Sequence, residues 1–211
     1  MSKCSTAMIT YNIKLSMNPL LFQFFSYLKL TSGELDVIEK DISRWQEVYK
    51  LSSQASKHNL FSTLWGYSEF RTLFYYRTGN CRGLAWCIRF ALQKIYPPAP
   101  TLYIDSPEIG PGLFIQHGFC TIISAKKLGK NCWINQQVTV GYSNATDCPI
   151  IGDNVTINAG AKVIGNVTVG NNSTVGANAV VVKNVPENCT VVGVPAYIIK
   201  RNGKKVKEPL V

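Results

Sequence analysis

From Ile151 to Pro186 the chain repeats every six residues, as IGDNVT, INAGAK, VIGNVT, VGNNST, VGANAV and VVKNVP. The first position of each hexad is β-branched (Ile151, Ile157, Val163, Val169, Val175, Val181) and the fifth is small or β-branched (Val155, Ala161, Val167, Ser173, Ala179, Val185). The fourth is Asn or Gly throughout: Asn154, Gly160, Asn166, Asn172, Asn178, Asn184. These residue types enter a left-handed backbone conformation at least cost, so the pattern predicts a short buried strand followed by a corner in every hexad. A period of six fits neither the helical turn nor the heptad, and a fixed period marks a stacked repeat. Inward first and fifth positions predict flat-sided coils around an aliphatic column, each coil pairing its backbone with the coils above and below.

The register continues upstream. Ile109, Ile115 and Thr121 open three hexads with Gly112, Gly118 and Ser124 at their corners, and Leu128, Ile134 and Val140 open three more. Lys127 is one residue over the count, and Thr146 to Ile150 exceed it by five. Twelve hexads, or four three-sided coils, therefore run from Ile109 to Pro186, and both interruptions fall at coil boundaries.

The pattern before residue 100 is different. Residues 1–18 show no clear period, and residues 19–30 are apolar but too short to span a bilayer. No small-residue cleavage site follows that run, which is expected to pack against the rest of the protein. Residues 34–51 read as an amphipathic helix through Leu35, Ile38, Ile42, Trp45 and Tyr49, with Ser32 as its cap. Residues 60–77 read as a second helix stopped by Gly79, and 83–96 as a third ended by Pro97, Pro98 and Pro100. The prolines divide a helical region (1–100) from the repeat (101–199), which a basic tail (200–211) follows.

A formal net charge of +10 over 211 residues invites a nucleic-acid reading. The basic residues are scattered, however, except in the tail (Lys200, Arg201, Lys204, Lys205, Lys207), so neither a nucleic-acid nor a membrane partner is expected. Seven cysteines, an odd number without metal-ligand spacing, fit a reducing cytoplasmic compartment. Cys120 and Cys132 fall inside hexads, where a thiol serves as a small hydrophobe.

The hexads, the helical preface and the closing segment Gly193-Val194-Pro195-Ala196 resemble the hexapeptide-repeat acyltransferases, and among them the serine O-acetyltransferases. The resemblance implies a mainly β fold: a left-handed parallel β-helix preceded by an α-helical region. It implies acetyl-CoA as co-substrate without a metal, and a homotrimer that a dimer of trimers would double. The implied reaction makes O-acetylserine from L-serine, the first step of cysteine biosynthesis. The alternative is O-acetylation of a sugar hydroxyl in a glycan precursor. A carbonic anhydrase on this fold needs three zinc-binding histidines, and the chain has only His58 and His117.

His117 occupies the third position of an early hexad and should face outward. Histidine titrates near neutrality and suits general-base work on a hydroxyl. The family's catalytic histidine sits in a matching early coil, so the resemblance makes His117 the base. It makes Asp105 the carboxylate that orients it, at a shorter spacing than usual, with Glu108 as fallback. Gln116 stands where the family carries an aspartate that helps hold the substrate amine, and Asp147 and Cys148 stand where an Arg-His pair grips the substrate carboxylate. Gln116, Asp147 and His58 are thus the expected substrate contacts, with Arg71, Arg77 or His58 as sources of a compensating cation. Coenzyme A is expected along Gly141, Ala159, Gly160 and Ala177, its phosphates meeting Lys183, Lys200 and Arg201.

Overall fold

The computed structural model describes residues 19–52 and 57–210. The repeat forms a parallel solenoid with three faces. The first carries β1 (Leu102–Ile104), β3 (Thr121–Ile123), β6 (Thr139–Gly141), β9 (Lys162–Ile164) and β12 (Val180–Val181) in that spatial order. The second carries β4 (Lys127–Leu128), β7 (Ile150–Ile151) and β10 (Thr168–Val169). The third carries β2 (Phe114–Ile115), β5 (Trp133–Ile134), β8 (Thr156–Ile157), β11 (Thr174–Val175) and β13 (Cys189–Val192). Register stacks one inward column per face. These are Ile104, Ile123, Val140, Val163, Val181; Ile109, Leu128, Ile151, Val169, Val185; and Ile115, Ile134, Ile157, Val175, Val191. All but half-buried Ile104 are buried. Each contributes about 1.5–3 kcal/mol by leaving water, which is how two-residue strands hold a shape.

Register corrects the upstream reading at one place. Ile123, not Thr121, pairs with Val140, so the step from Ile115 to Ile123 is eight residues and the next, to Leu128, is five. The extra length lies in the corner that carries His117, not at Lys127. Cys120 is consequently exposed, while Cys132 is buried as expected.

The corners also differ by edge. Asn131, Asn154, Asn172 and Asn188 are left-handed (φ +54 to +57) between the second and third faces. Their side chains form a ladder, each Nδ2 donating to the next Oδ1 at 3.4, 3.0 and 3.1 Å. Gln137, Gly160 and Asn178 are left-handed between the third and first faces. Between the first and second faces the expectation fails: Gly165 (φ +89) turns the chain instead of Asn166, and Asn184 is not left-handed. There the Asn184 side chain accepts from the Thr168 N–H at 2.8 Å and ties one coil to the next.

The basic end is ordered structure. β14 (Tyr197–Arg201) and β15 (Lys204–Pro209) add antiparallel to β13, and Arg201 pairs with Glu208 at 2.7 Å.

The preface consists of α1 (Pro19–Thr31), α2 (Leu35–Val48), α3 (Lys57–Trp65), α4 (Ser68–Arg77) and α5 (Leu84–Ile95). Ser32 Oγ accepts from the Glu34 N–H at 3.1 Å, just outside α2, whose cap residue is Glu34. The single helix expected over 60–77 is two. The chain tightens at Gly66, where N–H groups of Gly66 and Tyr67 reach back three residues, and Tyr67 is extended (ψ 121). Glycine is a weak helix former, and this break re-aims α4 toward the solenoid. α2 packs on the first coil: the Trp45 indole donates to Leu113 O at 2.8 Å and meets the Phe114 ring edge-on at 4.8 Å.

Candidate active site

The lengthened corner after β2 presents His117 to solvent with φ +53, followed by Cys120 at φ +48. Phe119 N–H donates to His117 O at 2.6 Å, which closes the bulge. Thr101 holds its far side, accepting from Cys120 N–H through Oγ1 at 3.1 Å and from Thr121 N–H through its carbonyl at 3.0 Å. Among the described residues no hydrogen bond or ion pair engages the His117 imidazole. Its nitrogens are therefore open to a substrate proton.

The helical preface reaches this corner through Glu69, in the first turn of α4. Glu69 Oε1 accepts from the Gly118 N–H at 3.1 Å, and Oε2 accepts from Ser68 Oγ at 3.1 Å. A Cβ on Gly118 would lie 3.0 Å from both Glu69 Cγ and Leu102 Cδ2, so the approach of α4 depends on a glycine next to His117. Tyr67 precedes α4, its ring stacked on Tyr49 at 4.5 Å and 12°. Tyr49 meets Phe114 at 5.5 Å, and Phe114 meets Trp133 at 4.8 Å. Trp133 Nε1 donates to Gln116 Oε1 at 3.2 Å and to Asn135 Oδ1 at 2.8 Å. Burial, then the neighbouring Tyr67 and Glu69, push the Tyr49 phenol well above its usual range, and burial followed by Glu69 raises that of Tyr67. Both phenols stay protonated and neutral. Sequence reasoning gave none of Glu69, Tyr49, Tyr67 and Trp133 a place at this site; Tyr49 entered it only as part of the apolar helix face over 34–51.

The compensating cations are committed elsewhere. Arg71 donates to the carbonyls of Trp65 (2.7 Å), Gly66 (3.3 Å) and Pro97 (3.0 Å). Arg77 is buried against Asp41 and the carbonyls of Ile109 and Gly110. The His58 side chain lies outside the described residues.

The remaining residues divide between two edges that flank the first face. Gln116, His117, Ala159, Gly160 and Ala177 line the edge between the third and first faces, with Ala177 three rungs, or about 14 Å, from His117. Gly160 fits there because the Asn178 amide occupies the place of a Cβ. Asp105, Gly141, Asp147 and Lys183 line the edge between the first and second faces. Asp105 and His117 are therefore not brought together within one chain. Glu108 forms an ion pair with Lys127 at 2.5 Å. Asp147 is taken up by its own loop, accepting from Ser143 N–H (2.8 Å), Asn144 N–H (2.9 Å) and the Ser143 hydroxyl. Those bonds, the Ser143 hydroxyl foremost, hold its carboxyl below the usual carboxylate range. At Gly141 a Cβ would meet nothing nearer than Thr139 Cγ2 at 3.8 Å, so the missing side chain leaves open space. Lys200 is exposed on β14, and Arg201 is held by Glu208.

A family model for the bacterial transferase hexapeptide (six repeats) matches residues 148–183. A serine acetyltransferase of Staphylococcus xylosus is 34% identical over 188 residues, covering 86% of this chain and 82% of that protein. The crystal structure of Neisseria gonorrhoeae serine acetyltransferase in complex with serine has a TM-score of 0.60 at 25% identity, covering 88% of this chain and 78% of that one. A serine acetyltransferase in complex with CoA has a TM-score of 0.59 at 26% identity, covering 86% and 79%. The solenoid is the left-handed β-helix that hexapeptide repeats build. With its repeat, its helical preface and a relative matched along most of both chains, this protein belongs to the serine acetyltransferase family.

Proposed function

We propose that this protein transfers the acetyl group of acetyl-CoA to the hydroxyl of L-serine, with His117 as general base. The observation that carries this reading is the lengthened corner, which turns an unengaged imidazole outward next to Gly118, whose backbone N–H is held by Glu69 of the preface. The His117 imidazole takes the hydroxyl proton as the oxygen attacks the thioester carbonyl. Collapse of the tetrahedral adduct breaks the carbon–sulfur bond, and the imidazolium returns the proton to the departing thiolate. A base placed this way contributes about 10²–10⁴-fold in rate.

Two family members solved with serine and with CoA support a small hydroxyl acceptor and acetyl-CoA. The cofactor would follow the His117 edge past Ala159, Gly160 and Ala177. The split between the two edges favours assembly. In a homotrimer packed through the first face, the His117 edge of one copy would face the edge of another that carries Asp105, Gly141 and Lys183. Asp105 would then orient the imidazole from the neighbouring copy. Exposed Tyr103 (60%), Ile122 (43%) and Phe119 (58%) around that face suit such packing. The six described cysteines are free thiols, in keeping with a cytoplasmic protein; no helix among the described residues is long and apolar enough to cross a membrane.

The test is thiol release from acetyl-CoA by purified protein offered serine and a panel of sugars. Serine-dependent release is expected. Release with sugars and none with serine would transfer the reading to a glycan hydroxyl.

A further inference from the structure

We infer that Glu69 is the residue that selects the acceptor, by binding an ammonium group beside the His117 corner. The inference rests on the reading of that corner as the acceptor site. Glu69 is a half-buried carboxylate in no ion pair among the described residues. Its oxygens accept one N–H from Gly118 and one O–H from Ser68, which fixes its direction and leaves lone pairs on both for a further donor. The cation two residues on, Arg71, turns its guanidinium to three backbone carbonyls instead.

The surroundings suit a cation. Tyr49 and Tyr67, stacked on one another, supply the half-buried wall next to Glu69, and the Phe114–Trp133 pair continues it to Gln116. A carboxylate beside aromatic groups, partly withdrawn from water, attracts an ammonium more strongly than a fully solvated one does. Neither arginine proposed to grip a carboxylate is free to do so. The charge recognition that Glu69 supplies beside His117 is thus for the amine end of an amino alcohol; the nearest cation along that edge, Lys162, spends its ammonium on the Gln137 carbonyl at 2.5 Å. The class of acceptor is a small alcohol bearing an ammonium, and serine belongs to it.

The isosteric change Glu69→Gln tests this, because the amide oxygen still accepts from Gly118 N–H while the charge disappears. Binding is measured by calorimetry without acetyl-CoA, using serine, ethanolamine (ammonium without carboxylate) and 3-hydroxypropanoate (carboxylate without ammonium). The variant is expected to weaken serine and ethanolamine by roughly 10–100-fold, the range of one charge-assisted hydrogen bond, and to leave 3-hydroxypropanoate as weak as before. Equal losses for all three ligands, or wild-type protein that binds neither serine nor ethanolamine, would overturn it. Glu69-dependent ammonium binding in a protein without acetyl transfer would instead refute only the enzymatic reading.

Discussion

Asp41 of α2 and Arg77 of α4 form an ion pair at 2.9 Å, both side chains 3% exposed, and together they clamp the first coil. Asp41 Oδ1 accepts from the N–H groups of Gly112 (2.7 Å) and Leu113 (3.2 Å), while Arg77 donates to the carbonyls of Ile109 (2.6 Å) and Gly110 (2.7 Å). The pair joins the helices to the backbone leading into β2 and the His117 corner. Removing one partner strands a buried charge, so Asp41→Ala is expected to destabilise the protein by about 3–5 kcal/mol. Denaturant unfolding checks it; an unchanged midpoint would show that the clamp carries no stability.

The corners predict a contrast between two asparagines. Asn172 is left-handed (φ +57) and links Asn154 to Asn188 through its amide. Asn172→Val places a β-branched residue there and cuts the ladder, at a cost of about 1–3 kcal/mol. Asn166→Val should be milder, because Gly165 carries that turn. Equal melting temperatures for the two variants would contradict this.

Thiol reactivity should follow burial. Cys87 and Cys120 are exposed, whereas burial pushes the Cys132 thiol up to about 12 and raises that of Cys189. The thiolate is the reactive form, so iodoacetamide at neutral pH should label Cys87 and Cys120 well before Cys132 and Cys189. Peptide mass spectrometry reads the order, and early labelling of Cys132 in folded protein would refute its place in the core.

The solenoid was legible because its cause is local and periodic: an aliphatic, mostly β-branched residue at the first inward place of nearly every hexad and a turn-former at most corners. Two things escaped for lack of a local signal. The bulge at His117 keeps the total count of its coil, since a step of eight is offset by a step of five, so counting alone put the extra residue at Lys127. Glu69 lies 49 residues from Gly118 in sequence, and nothing near either residue announces their bond. His117 was legible through family resemblance. That Asp105 sits on the opposite edge of the first face was not, because it depends on how strands of different coils share a face.

The central claim is that His117 is the general base. His117→Asn tests it most directly, since asparagine accepts the left-handed φ of +53 and the outward side chain supports no core. Steady-state rates of serine-dependent thiol release from acetyl-CoA, measured beside the thermal unfolding curve, are expected to show kcat reduced about 10²–10⁴-fold with unfolding unchanged. A kcat near that of the unaltered protein would contradict the account.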